Sequence, residues 1–133
     1  MGSTYYESTV LRAGQEAAEL AEGGVLILYA EPIPDALEEV SVVHAPTAPP
    51  SAPMRPGDLL TLDEGTARLI AVGERADENL RSLGHVVVYL NPEADTPLLP
   101  GAAHATGSVS MPVAGARLRL TAANAAIPGT GSA

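Results

Sequence analysis

The chain has 133 residues, a net charge of −9, no cysteine, and seven basic residues that are all arginine. That length fits one domain with a real core. The acidic balance argues against nucleic acid and disfavours anionic lipid, both of which need a clustered basic surface, and the missing cysteines exclude disulfides, thiol chemistry and Cys-based zinc sites.

Eight strand-like runs follow in chain order: Tyr5 to Arg12, Val25 to Ala30, Val40 to His44, Leu59 to Leu62, Thr66 to Val72, His85 to Leu90, Ala102 to Thr106 and Ala116 to Thr121. Most are rich in Val, Leu and Ile and bounded by Gly, Pro, Asp or Asn. Phe and Trp are absent and only four Tyr occur, so the core is aliphatic. Two stretches read as helices. "GQEAAELAEGG" stops at Gly23-Gly24, and "ERADENLRSLG" places Ala76, Leu80 and Leu83 on one face, with Gly84 just past its end. Asp63-Glu64-Gly65 reads as a hairpin tip, with Gly65 supplying positive φ. "ARLRL" alternates, its Arg wet and its Leu inside. No internal repeat is evident.

These elements predict a mainly β single domain over residues 1–121, a sandwich or barrel with one or two short helices. The proline-dense segment 45–57 is a loop of that domain with extended backbone. Residues 122–133 read as a flexible tail. No apolar run reaches a membrane span, no signal-peptide pattern opens the chain, and Tyr6 stands where a myristoylation motif needs Ser or Thr. The expected location is the cytoplasm.

The candidates for chemistry are the three histidines, His44, His85 and His104, each within or at the edge of a strand-like run. Each has an ordinary structural reading. Three imidazoles can also hold zinc, although no compact metal spacing is present. A third reading is a histidine that carries a phosphoryl group. That role needs a neutral ring, one nitrogen facing solvent, the other held by an acceptor, and donors around the phosphoryl oxygens. His44, at a strand end beside Thr47 and Ser51, is expected to have that access. Glu38 and Glu39, read as neighbours in a strand, point to opposite faces and cannot flank one bond. "PGTGS" lacks the Lys of a phosphate-binding loop.

Several blocks, in order, carry a family likeness: "LILYAEPIPDALEEVSVVH", "MRPGDLLTL", "AVGERADENLRSLGHVVV" and "LPGAAHATG". Together they resemble the glucitol/sorbitol-specific IIA component of the phosphoenolpyruvate-dependent sugar phosphotransferase system, over about Leu11 to Gly107. The resemblance implies a closed, mostly β barrel and no cofactor. It implies that His44 is the phosphorylated histidine, with His85, His104 and Thr47 as candidate supports. It implies HPr as donor, and the IIB and IIC permease components as acceptor and membrane channel. The family pattern continues to a second His and a Gly soon after the active His; here "HAPTAPPSAP" has neither. A carrier-like module that regulates without turnover is the alternative the altered loop suggests.

Overall fold

A computed structural model describes residues 3–123. Eight strands close into one barrel: β1 (Thr4–Ala13), β2 (Val25–Ala30), β3 (Val42–Pro46), β4 (Leu59–Leu62), β5 (Gly65–Val72), β6 (Val86–Leu90), β7 (Ala102–Ser108) and β8 (Arg117–Thr121). Closure leaves no free sheet edge. Three short helices, α1 (Ala17–Glu22), α2 (Asp35–Glu38) and α3 (Ala76–Leu83), lie between strands.

The order around the barrel is β1-β3-β2-β6-β7-β5-β4-β8. Exchanging β1 to β4 for β5 to β8 leaves that order unchanged, so the barrel has a pseudo-two-fold axis across β2–β6 and β4–β8. The register obeys it residue by residue. Val10↔His44 becomes Leu69↔Ala105, Leu28↔Val42 becomes Val88↔Ala103, and a bulge follows Val10 in β1 and Leu69 in β5. A Cβ on Gly14 would strike the Glu38 and Glu39 carbonyls; one on Gly73 would strike those of Leu99 and Pro100. Gly57 and Gly115 share a positive φ near one value. The expectation of no repeat is therefore corrected. The halves share glycines and apolar alternation more than side-chain identity, and a weak likeness of "AGQEAAELA" to "VGERADENL" is what the sequence retains.

The core follows the pleat. Leu26, Leu28, Val86, Val88, Leu118 and Leu120 point inward, each 4% exposed or less. Arg117 and Arg119 point out and share Glu7. Met54, from the proline-rich loop, joins the core cluster, with its N–H donating to Asp77 at 2.7 Å. The C-terminal side of the loop is held by Asp58, which is buried. Its carboxylate accepts from Tyr5 Oη at 2.8 Å, Arg55 N at 3.0 Å and Ala123 N at 2.9 Å. Burial, then this carboxylate, keeps the Tyr5 phenol protonated far above its usual range. Asp58→Ala is expected to cost about 3 kcal/mol, seen as an earlier urea midpoint with an unchanged m value.

Local expectations are corrected in four places. Gly65 has no positive φ; Asp63 does (φ 56), and Leu62 pairs with Gly65 across a two-residue tip. Glycine is needed at 65 because a Cβ would lie 2.6 Å from Val109 Cα. Glu38 and Glu39 end α2 rather than lying in a strand. Leu83, the last residue of α3, is 45% exposed, unlike Ala76 and Leu80, because it lines an open cleft. Ala122 N donates to Ser3 O and Ala123 N to Asp58, so the fold extends two residues into the expected tail. Residues 124–133 of that tail lie outside the described residues.

Candidate functional site

His44 sits in β3, paired to Val10 of β1 and Ala30 of β2. Val42 pairs with inward-facing Leu28, so the two-residue period turns His44 inward as well. The ring meets Tyr6 edge-on, centroids 6.3 Å apart. Nδ1 lies 2.6 Å from Ser8 Oγ, and Nε2 lies 2.8 Å from the Gly84 carbonyl oxygen. A carbonyl only accepts, so Nε2 carries the proton and Ser8 donates to Nδ1.

The expectation of a solvent-facing nitrogen is corrected: His44 is 0% exposed, with both ring nitrogens engaged. The expected strand end is corrected too: β3 runs on past His44 to Pro46, so the ring lies in mid-strand. β1 runs alongside β3 past His44, and the residue capping the C-terminus of α3 supplies the carbonyl that covers Nε2. Gly84 can lie this close because its φ is +63 and it has no Cβ; a Cβ there would lie 2.3 Å from Ala30 Cβ.

The outer side of that cover is a cleft of about 560 Å³. Gly84, Tyr6 and Ala30 form its inner wall; Thr47, Pro49 and Arg81 belong to its rim. Arg81 Nη1 donates to Pro50 O at 3.1 Å and makes no ion pair among the described residues. Thr47 Oγ1 donates to Glu7 O at 3.2 Å. Tyr6 Oη is buried without a partner among the described residues, and burial pushes its phenol up to about 12, so it remains a donor.

The pseudo-two-fold axis supplies an internal control. At the other mouth, Ser8 and His44 are replaced by Ala67 and Ala105. Glu22, the sixth residue of α1, takes the place of Arg81, the sixth of α3. The matching cleft holds Asn91, which clamps Gly107 through both its amide atoms. The barrel wall closes there with two alanines. A buried, hydrogen-bonded imidazole under a cleft lined by an arginine is thus not a requirement of the fold, and among the described residues it occurs at one mouth.

The other two histidines do not converge on His44. His85 lies just after Gly84 and stacks on Tyr29, centroids 4.5 Å apart, on the barrel's outer face. His104 pairs with Tyr89, itself opposite Val25, at the far end of β2 from Ala30. That places it about 16 Å along the strand from His44. It too faces outward, its ring edge-on to Tyr89 and its Nε2 without a partner among the described residues. One phosphoryl group cannot touch both His44 and His104. No cluster of three or more His, Cys, Asp or Glu side chains suited to a metal occurs among the described residues. The residues that the sequence reading missed are Ser8, Arg81 and Gly84. The contrast of "AGQEAAELAEGG" with "VGERADENLRSLG" was a signal for the last two.

Burial pushes the His44 ring below its ordinary value, the Gly84 carbonyl opposing in part, and burial lowers His85 too. In the unfolded chain both titrate near ~6.5, so the native state binds the proton less readily. Their contribution is complete above about pH 6.5 and is lost as pH falls from there toward the folded values, at up to about 1.4 kcal/mol per pH unit for each group. Glu7 and Glu38, held low by hydrogen bonds from Arg119 and Arg12, act only below their usual carboxylate range. Urea unfolding at pH 7.5 and 5.5 is expected to show a loss at the lower pH that is smaller in His44→Gln. An equal loss in both proteins contradicts the assignment of His44 as a neutral buried ring.

Among the described residues no helix is long and apolar enough to cross a membrane. Residues 5–119 match the family model described as PTS system glucitol/sorbitol-specific IIA component. The chain is 33% identical over 106 residues to the PTS system glucitol/sorbitol-specific EIIA component of Escherichia coli (strain K12), spanning 78% of this chain and 83% of that protein. The Shigella flexneri protein of the same description matches to the same extent. The crystal structure of a PTS system IIA component from Enterococcus faecalis V583 superposes with a TM-score of 0.74 at 21% identity, covering 84% of this chain and 96% of that one. That likeness bears on the fold, which it shares. The match along nearly the whole barrel and the identity to the two enterobacterial proteins show that this chain belongs to the glucitol/sorbitol-specific IIA components of the phosphotransferase system.

Proposed function

We propose that the protein is a cytoplasmic phosphocarrier that takes a phosphoryl group from phospho-HPr onto His44 and passes it to the IIB component, for coupled uptake and phosphorylation of a glucitol-like sugar alcohol through IIC. The observation that carries this is the one-sided polar site: His44 and Ser8 stand where the other half of the barrel has two alanines, under a cleft that holds Arg81.

The chemistry follows from the geometry. The ring is neutral near pH 7, as a nucleophile must be. Nε2 points toward the cleft wall and Nδ1 into the barrel, so Nε2 is the nitrogen that meets the donor. For that to happen the C-terminal turn of α3 moves and lifts the Gly84 carbonyl off Nε2. Arg81, at the cleft rim one turn before Gly84, then supplies positive charge to the phosphoryl oxygens, with Thr47 as a second donor. His85 and His104 act on the barrel's stability and outer surface, not on the phosphoryl group. In-line transfer needs little beyond position and charge, and contacts with each partner are brief and small.

The burial of His44 favours a second reading, a carrier-like module that binds partners without turnover. One experiment separates the two. Incubation with labelled phosphoenolpyruvate, enzyme I and HPr, followed by peptide mapping under alkaline conditions, places label on His44 in the first reading. Binding of HPr with no label on the chain supports the second.

A further inference from the structure

Resting on the phosphocarrier reading, we infer that Ser8 is a positioning residue for the transfer: its hydroxyl holds His44 Nδ1 from inside the barrel and thereby presents Nε2 to the cleft. Ser8 and His44 are both 0% exposed and 2.6 Å apart. Packing alone does not call for a hydroxyl at this place, since the pseudo-symmetric pair is Ala67 and Ala105, also in the core and 1% exposed or less.

A hydroxyl is the group that suits both states of the ring. At rest Nε2–H donates to the Gly84 carbonyl, and Ser8 O–H donates to bare Nδ1. For attack, as the cleft opens, Nε2 gives its proton to water and Nδ1 takes one from the water admitted, so the ring changes tautomer and stays neutral. The Nε2 lone pair then forms the new N–P bond as the donor's P–N bond breaks, and that bond's electron pair returns to the donor's ring nitrogen. The product ring keeps Nδ1–H, carries positive charge beside the phosphoryl dianion, and donates to Ser8 Oγ. The hydroxyl turns from donor to acceptor by rotating one hydrogen, with no heavy atom displaced. An alanine offers neither interaction, and a carboxylate offers acceptance alone.

The test uses the full chain with phosphoenolpyruvate, enzyme I and HPr. In single turnovers, Ser8→Ala is expected to slow labelling of His44 about tenfold or more, with the half-saturating concentration of phospho-HPr unchanged, and Ser8→Thr to restore it. ¹⁵N NMR of the ring is expected to show Nε2–H in both resting proteins, fixed by the Gly84 carbonyl, and a shifted Nδ1 resonance in Ser8→Ala, which lacks the hydroxyl's hydrogen bond. A wild-type rate in Ser8→Ala, or Ser8→Thr as slow as Ser8→Ala, overturns the role. If Ser8→Ala does not fold, the wild-type ring decides: Nε2–H at rest and Nδ1–H when phosphorylated supports the proposal, and phosphate on Nδ1 overturns it. Label that persists in His44→Ala instead overturns the phosphocarrier site itself, whatever Ser8 does.

Discussion

His44→Ala is expected to lose all labelling by phosphoenolpyruvate, enzyme I and HPr while the barrel stays folded. The loss is complete because no second imidazole can stand in: His85 stacks on the outer face and His104 lies near the opposite end of β2. The fold survives because the matching position is already Ala105. It is weakened all the same. Truncation opens a cavity and leaves Ser8 Oγ and the Gly84 carbonyl without their shared partner, at about 2–4 kcal/mol. Far-UV circular dichroism and urea unfolding separate this cost from the loss of labelling. Label retained on another residue would reassign the site, and His44→Gln, which keeps most of the volume, guards against loss through unfolding.

Gly84→Ala carries the second large effect. The backbone is left-handed there, with φ +63, and the new Cβ would lie 2.3 Å from Ala30 Cβ and 3.1 Å from its nitrogen. Left-handed strain alone costs about 1 kcal/mol, and the clash with a buried strand adds more, so a total of about 3 kcal/mol or above is expected. The strain has a defined outlet. The C-terminal turn of α3 must back away from β2, which takes the Gly84 carbonyl off His44 Nε2. At a temperature where the variant is still native, diethyl pyrocarbonate is expected to modify His44 faster than in the wild type. Unchanged stability and unchanged reactivity would show that the turn does not seal the ring.

Much of the barrel was legible in the sequence. The runs Val25 to Ala30 and Leu59 to Leu62 match β2 and β4 because their apolar runs and flanking turn residues agree. "ARLRL" reads inside and outside correctly because period-two alternation is direct evidence of a half-wet strand. The repeat was hidden because its equivalences lie in glycines such as Gly14 and Gly73, and in pairings that no single strand reveals. α2 was hidden because four residues carry too little period to detect.

The site was legible in part. His44 stood out as a residue type, but its exposure depended on long-range register. A strand end next to prolines suggests open solvent; the pairing of Val42 with Leu28 instead points His44 into the barrel. Ser8 lies far away in sequence and reads as an ordinary β1 residue until β1 and β3 are paired. Arg81 reads as a helix-surface cation until Glu22 is seen in its place at the other mouth.

The most direct measurement of the central claim is ³¹P NMR of the intact chain after incubation with phosphoenolpyruvate, enzyme I and HPr. The account predicts an acid-labile phosphoramidate resonance of an Nε2-substituted imidazole, absent from His44→Gln. A spectrum in which HPr is phosphorylated and this chain carries no phosphoramidate contradicts it.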